Sequence, residues 1–174
     1  MKSFVLAACI ALLPSLAQAQ WKQNGQPALE APNQKSKDGF GAQLLVISHF
    51  PKFIKEWTTS PPEHAPQVPA VAKAKRGEPL AVVLFFGGCK ADMSGNCDAG
   101  YDLTIIRPDG STMQSFPDLE LWRQEAPPYI QLGRAIPQLT FGPTDPIGRY
   151  RIKAVVRDAN RHVVLQLETT LDIE

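Results

Sequence analysis

Along the last quarter of the chain, apolar and polar residues change places with a period of two. Tyr150, Ile152, Ala154 and Val156 alternate with Arg149, Arg151 and Lys153; after a turn at Asp158-Ala159-Asn160, Val163, Leu165, Leu167, Thr169, Leu171 and Ile173 alternate with Gln166, Glu168, Thr170, Asp172 and Glu174. Successive side chains of a strand point to opposite faces, so this predicts two paired antiparallel strands with one dry and one wet face. A slip of one residue would carry the acids of the last strand into the core, so the register is firmly set.

Upstream, residues 80–86 (LAVVLFF) are apolar on both parities, as in a central strand buried on one face and partly covered on the other. Tyr101, Leu103 and Ile105 alternate with Asp102, Thr104 and Ile106, and Pro108-Asp109-Gly110-Ser111 then turns the chain toward a return strand at residues 112–116. Residues 119–123 (LELWR), 129–136 and 139–141 add strand material, 71–75 a short edge strand, and 42–48 (AQLLVIS) a first strand. Helical spacing appears once: behind Pro51, Phe53, Ile54 and Trp57 lie on one face of about two turns. The segment TTSPPEHAPQVP ends it and reads as an extended connector. Sixteen prolines and twelve glycines, scattered between short apolar runs, argue against long helices. The expected fold is mainly β, an antiparallel β-sandwich with one short N-terminal helix.

The opening, MKSFVLAACIALLPSLAQAQ, has a basic start at Lys2, an apolar run over residues 4–13 and the small-residue ending Ala17-Gln18-Ala19. This is the layout of a secretory signal peptide over residues 1–19, too short to cross a bilayer as a helix. Leu6-Ala7-Ala8-Cys9 resembles a lipidation box, but the apolar run continues beyond Cys9, so cleavage after Ala19 and a periplasmic destination are expected. Residues 20–38, rich in Gln, Asn, Lys, Pro and Ala with Trp21, read as a flexible N-terminal arm, and residues 39–174 as a single domain.

Beyond the leader only Cys89 and Cys97 remain, inside GGCKADMSGNC. In an oxidising compartment such a pair reads first as a disulfide, and Gly95 with the short polar side chains between them lets the loop close. Zinc would need two more ligands, and His49, His64 and His162 show no paired spacing. Asp92, Ser94, Asn96 and Asp98 could approach a calcium ion, but the closing glutamate of an EF-hand loop is missing, and turn residues are the plainer account. No metal and no cofactor are expected.

Loss of the leader removes Lys2 from 18 basic residues and nothing from 17 acidic ones, so the remainder is formally neutral. Such a balance does not favour nucleic acid or an anionic membrane as partner. A Gly-x-Ser-x-Gly elbow and a phosphate-cradling glycine loop are both absent from the sequence, and no histidine sits in a catalytic motif, so an enzyme is not expected.

Gly148-Arg149-Tyr150-Arg151-Ile152, at the entry to a penultimate strand, resembles the tyrosine corner of immunoglobulin-like sandwiches, with Gly148 and Tyr150 as its structural residues and Ile152 where the immunoglobulin cysteine would stand. From Phe40 onward, FGAQLLV, the GGC…C loop, RPDG, LELW, QLGRA and DPIGRYRIKAVVRD make the chain similar to a group of uncharacterised exported proteins of Gram-negative bacteria. That resemblance implies an immunoglobulin-like sandwich in a periplasmic setting and carries no activity. Sandwich domains recognise partners through end loops and open sheet edges. Here Trp57, Trp122, Arg123 and Tyr129 are the candidate binding residues, being types that anchor interfaces. The expected function is a binding or adaptor module for another envelope protein, with an enzyme inhibitor or immunity protein and a cell-wall carbohydrate-binding module as alternatives.

Overall fold

The computed structural model describes residues 22–23, 26–27, 30–61 and 66–174. The leader read at residues 1–19, with Cys9, and also Trp21 and His64, lie outside them. In chain order the elements are β1 (Lys22–Gln23), β2 (Gln26–Pro27), β3 (Gln34–Lys37), β4 (Phe40–Ser48), α1 (Phe50–Thr59), β5 (Lys73–Ala74), β6 (Leu80–Gly87), β7 (Ala99–Ile106), β8 (Thr112–Trp122), β9 (Gln131–Leu132), β10 (Gln138–Leu139), β11 (Gly148–Asp158) and β12 (Val163–Ile173). β1 and β2 pair only with each other. One five-stranded sheet runs β10-β6-β4-β3 with β9 also on β6; the other runs β5-β12-β11-β7-β8. Pairing is antiparallel throughout except between β5 and β12.

The alternation of the last two strands sets their faces as expected. Tyr150, Ile152, Ala154, Val156, Leu165, Leu167, Leu171 and Ile173 are buried, and they meet Phe40, Ala42, Leu44 and Val46 of β4 and Val82, Leu84 and Phe86 of β6 across the sandwich. On the wet face the register places Arg149 opposite Asp172 and Lys153 opposite Glu168, so the charges that keep this face in water also pair across strands. The double apolar parity of β6 has a second cause. Ala81, Val83 and Phe85 point away from the other sheet and are covered by α1, whose Phe53 meets Phe85 edge-on at a centroid distance of 6.3 Å. Burying one side chain of that size contributes roughly 1.5–3 kcal/mol, which holds a ten-residue helix to the sheet.

Three features depart from the expected pattern. First, the sheet begins at Gln34, inside the segment read as an arm: β3 and β4 form a hairpin through Asp38 and Gly39, with Lys37 opposite Phe40 and φ of 49° and 84° at the two turn residues. Asp-Gly favours such a turn because both positions need positive φ. β3 itself, QKSK, has no apolar period, and its lysines discourage further pairing at this edge.

Second, residues 112–116 and 119–122 are one continuous strand, β8, rather than two stretches. Pro117 and Asp118 (φ 49°) fall inside it, and the pairing with β7 shifts register around them. A missing N–H and a bulge are tolerated because β8 is an edge strand.

Third, residues 129–141 yield only the two-residue strands β9 and β10, because this segment crosses the side of the sandwich. Gly133 N–H donates to Leu84 O, whereas Arg134 and Ala135 N–H donate to Leu121 O and Glu120 O of the opposite sheet. A Cβ on Gly133 would lie 2.7 Å from Leu121 Cδ1, so the crossing point admits only glycine without rearrangement.

Tyr150 OH donates to Pro146 O at 2.8 Å while its ring lies 4.7 Å from that of Phe141. Two stacked sheets with this backward-reaching phenol at the start of β11 make an immunoglobulin-like sandwich.

A candidate recognition surface at one end of the sandwich

Gly87 ends β6, Ala99 opens β7, Trp122 ends β8, and the β3–β4 and β11–β12 turns lie at the same end, because antiparallel pairing brings these termini together. The disulfide loop is the centre of this cluster. Cys89 and Cys97 are bonded, and both are buried in the core, so the loop is fixed at its root. Within it, Asp92 Oδ1 accepts from Ser94 N–H at 2.8 Å and Asn96 N–H at 3.0 Å, and Asp92 N–H donates to Asn96 O at 2.8 Å. That use of the carboxylate is a turn. Asp98 points elsewhere, toward Arg123 Nε at 3.5 Å, so the oxygens considered for calcium do not converge. Among the described residues no group of three His, Cys, Asp or Glu side chains could hold a metal.

Asp158 ties the loop to its neighbour. It continues the inward parity of β11, so its carboxylate is buried where the pattern calls for an apolar residue. Its oxygens accept from Lys90 N–H at 2.8 Å and Arg161 N–H at 3.1 Å, with Arg161 Nε at 3.7 Å. Arg161 goes on to donate to Asp38 O and Gly88 O, and Asn160 Nδ2 donates to both Lys90 O and Asn96 O. Three loops are thereby joined by one ion pair and its hydrogen bonds. In the sequence, Asp158 reads only as a turn residue; a carboxylate on the inward parity is the signal that marks it.

On the other side of the disulfide loop, Cys97 N–H donates to Gln124 O and Ala126 N–H to Gly95 O, so residues 124–126 run beside it. Trp122 is half-buried against Phe86, centroids 5.7 Å apart, with Nε1 donating to Glu125 O at 2.9 Å. Its ring packing and its hydrogen bond shape the segment. Arg123 is exposed between Asp98 and Asp118. Tyr129 and Ile130 are exposed, and so, completely, is Met93 at the tip of the disulfide loop. Met93 and Ile130 were not singled out by sequence, though an apolar residue inside an otherwise polar turn is a readable sign.

Trp57 is not brought to this surface. It stacks with Phe53 and Phe85 on the outer face of the first sheet, opposite the side on which Phe86 meets Trp122. The proposed quartet therefore divides, because neighbouring residues of β6 point to opposite faces.

Other polar groups of note are structural. Arg157 donates to Asp102, and this hydrogen bond, with another from Asp118 N–H, holds the Asp102 carboxyl below the usual range. Burial pushes the Tyr101 phenol up, and its OH donates to Ala135 O at 2.6 Å. His49 Nδ1 lies 2.9 Å from Ser48 Oγ, but no acid orients this ring among the described residues.

No family model matches the chain, and no curated protein matches it in sequence. Solved structures resemble it at a general level. The soluble domain of PmoD from Methylocystis sp. is 10% identical with a TM-score of 0.40, over 81% of this chain and 96% of that one. An immunoglobulin-like protein of Pseudomonas aeruginosa is 14% identical with a TM-score of 0.33, over 62% and 82%. A Pseudomonas fluorescens alkylpurine DNA glycosylase bound to DNA is 12% identical with a TM-score of 0.40, and the chain spans 28% of its length.

Proposed function

We propose that this chain is a non-enzymatic binding module of the periplasm that recognises another envelope protein through the loop end of its sandwich. One observation supports this above the others: Met93, Tyr129 and Ile130 are exposed on two adjoining loops that a disulfide and a buried carboxylate hold in place. Leaving large apolar side chains in water on ordered loops adds nothing to folding, whereas a partner that covers them gains their burial. Ordering the loops beforehand lowers the entropy lost on binding. The leader expected over residues 1–19 and the disulfide fit export to an oxidising compartment.

The projecting tip also favours the inhibitor reading, in which the same loop enters an enzyme's cleft. A glycan-binding face is less favoured, since Trp57 and Trp122 lie half-buried on opposite sides of one sheet and do not form a flat row.

Affinity capture from periplasmic extract tests the proposal, comparing the wild type with the double variant Tyr129→Ala/Ile130→Ala. Stoichiometric capture of a protein that the variant loses supports it. Retention on peptidoglycan alone, or identical capture by both, removes this surface from the function.

A further inference from the structure

We infer that Pro117 and Arg107 are guards of the free edge of β8, which keep this strand from pairing with the same strand of a second copy of the chain. Whether or not the chain is a binding module, they close one of the two routes, loop and sheet edge, by which a sandwich domain takes a partner. β8 ends its sheet, and Thr112, Met113, Gln114, Ser115 and Phe116 at its start carry no charge. An uncharged edge strand invites pairing, and β3, at the edge of the other sheet, meets the same hazard with Lys35 and Lys37. This stretch of β8 has no such charges and is protected through its backbone instead.

The register fixes which backbone groups lie on the free side. Glu168 and Asp172 N–H donate away from β11, to Pro32 O and Ala72 O, so the even residues of β12 face outward and the odd ones bond β11. Alternation carries this pattern across the sheet: Arg151 and Lys153 bond Ile106 and Thr104, and Ile105 and Leu103 bond Gln114 and Phe116. Thr112, Ser115 and Pro117 therefore turn their backbone groups to the free side. Arg107 Nη1 donates to Thr112 O at 2.9 Å, and Pro117 has no N–H to offer. A register shift at Met113 breaks the alternation between Thr112 and Gln114. Farther on, Glu120 O and Leu121 O accept from Ala135 and Arg134 N–H at 3.0 and 3.1 Å. Between the guards Ser115 presents an N–H and a C=O, too little for a ladder. In a two-fold antiparallel pairing centred on Ser115, position 117 of each copy faces position 113 of the other, so each proline removes a bond and a restored N–H returns one on either side.

The test compares the full chain as wild type, Pro117→Thr, Arg107→Ala and the double variant Pro117→Thr/Arg107→Ala by sedimentation velocity from micromolar to millimolar concentration. Circular dichroism and thermal unfolding establish that each is folded. The double variant should dimerise roughly tenfold or more tightly than wild type, as two added backbone hydrogen bonds imply, with the single variants between. Amides of residues 112–117 should gain protection from hydrogen exchange in that dimer. Adding Ser115→Pro withdraws the remaining N–H and should return the double variant to wild-type behaviour. A folded double variant that associates no more than wild type overturns the guards, and so does a new dimer that leaves residues 112–117 unprotected. A wild type that already dimerises, and stops doing so with Ser115→Pro, shows an open edge and overturns them too. Should the double variant not fold, Pro117→Thr alone decides, and no gain in association over wild type refutes the role of the proline.

Discussion

Replacing Asp158 by alanine should loosen the loop end and the whole fold together. The carboxylate has no exposed side-chain surface and accepts two backbone N–H bonds, at 2.8 and 3.1 Å, while pairing with Arg161. Bonds to a charged acceptor contribute about 1.5–3 kcal/mol each. Part of that is offset because the carboxylate leaves water on folding, and removing one partner of such a pair strands the other. A net loss of about 3 kcal/mol follows, which at a urea m-value of about 2 kcal/mol/M lowers the unfolding midpoint by roughly 1.5 M. Asp158→Asn keeps one acceptor but turns an amide NH₂ toward a backbone N–H, so it should rescue little. Hydrogen exchange locates the effect: amides of residues 90–98 should lose protection in excess of the global change, since Lys90 N–H donates directly to the missing group. A midpoint within about 0.3 M of wild type, on the same m-value scale, would refute the claim that this buried charge holds the three loops.

Four further outcomes are expected. Reducing the Cys89–Cys97 bond, whose partners are eight residues apart, should cost about 2.5 kcal/mol by loop entropy, read as a lower denaturation midpoint once both of these thiols are free. Gly133→Ala should destabilise by about 1–3 kcal/mol, because its methyl meets Leu121 and the backbone oxygen of Leu84; calorimetry showing no loss would mean the crossing segment shifts freely. Tyr150→Phe should cost about 1 kcal/mol, the net value of one hydrogen bond, with the ring packing retained. In acid, the depressed carboxyl of Asp102 contributes stability that is fully present above its unfolded pKa of about 4 and is lost as pH falls through its lower folded value. Asp102→Asn should therefore flatten the acid limb of a stability–pH curve, and an unchanged limb would show that the pairing with Arg157 does not matter to the fold.

Several of these effects rest on features that a period-of-two pattern exposes and others on features it hides. Where an element buries one face, its apolar residues announce it, which is why β6, β7, β11 and β12 were legible to within a residue or two. β3 escaped because QKSK buries too little to show a pattern, although the Asp38-Gly39 pair marked its turn. β8 was divided because Pro117 reads as a stop, and only its place at an edge makes the proline harmless.

At the loop end of the sandwich the division is sharper. The chain alone determined that Cys89 and Cys97 would close a short loop, that the last two strands would keep one face wet, and that Tyr150 would begin the penultimate strand as a corner. Alternation and cysteine spacing are local properties, and local properties are written in order along the chain. Which side of the sandwich each aromatic ring occupies was decided only by the stacking of the two sheets, which sent Trp57 and Trp122 to opposite sides of β6 and left Met93 exposed. Burial depends on what arrives from distant positions, and so does the role of Asp158, whose carboxylate acquires its meaning from a backbone amide 68 residues away.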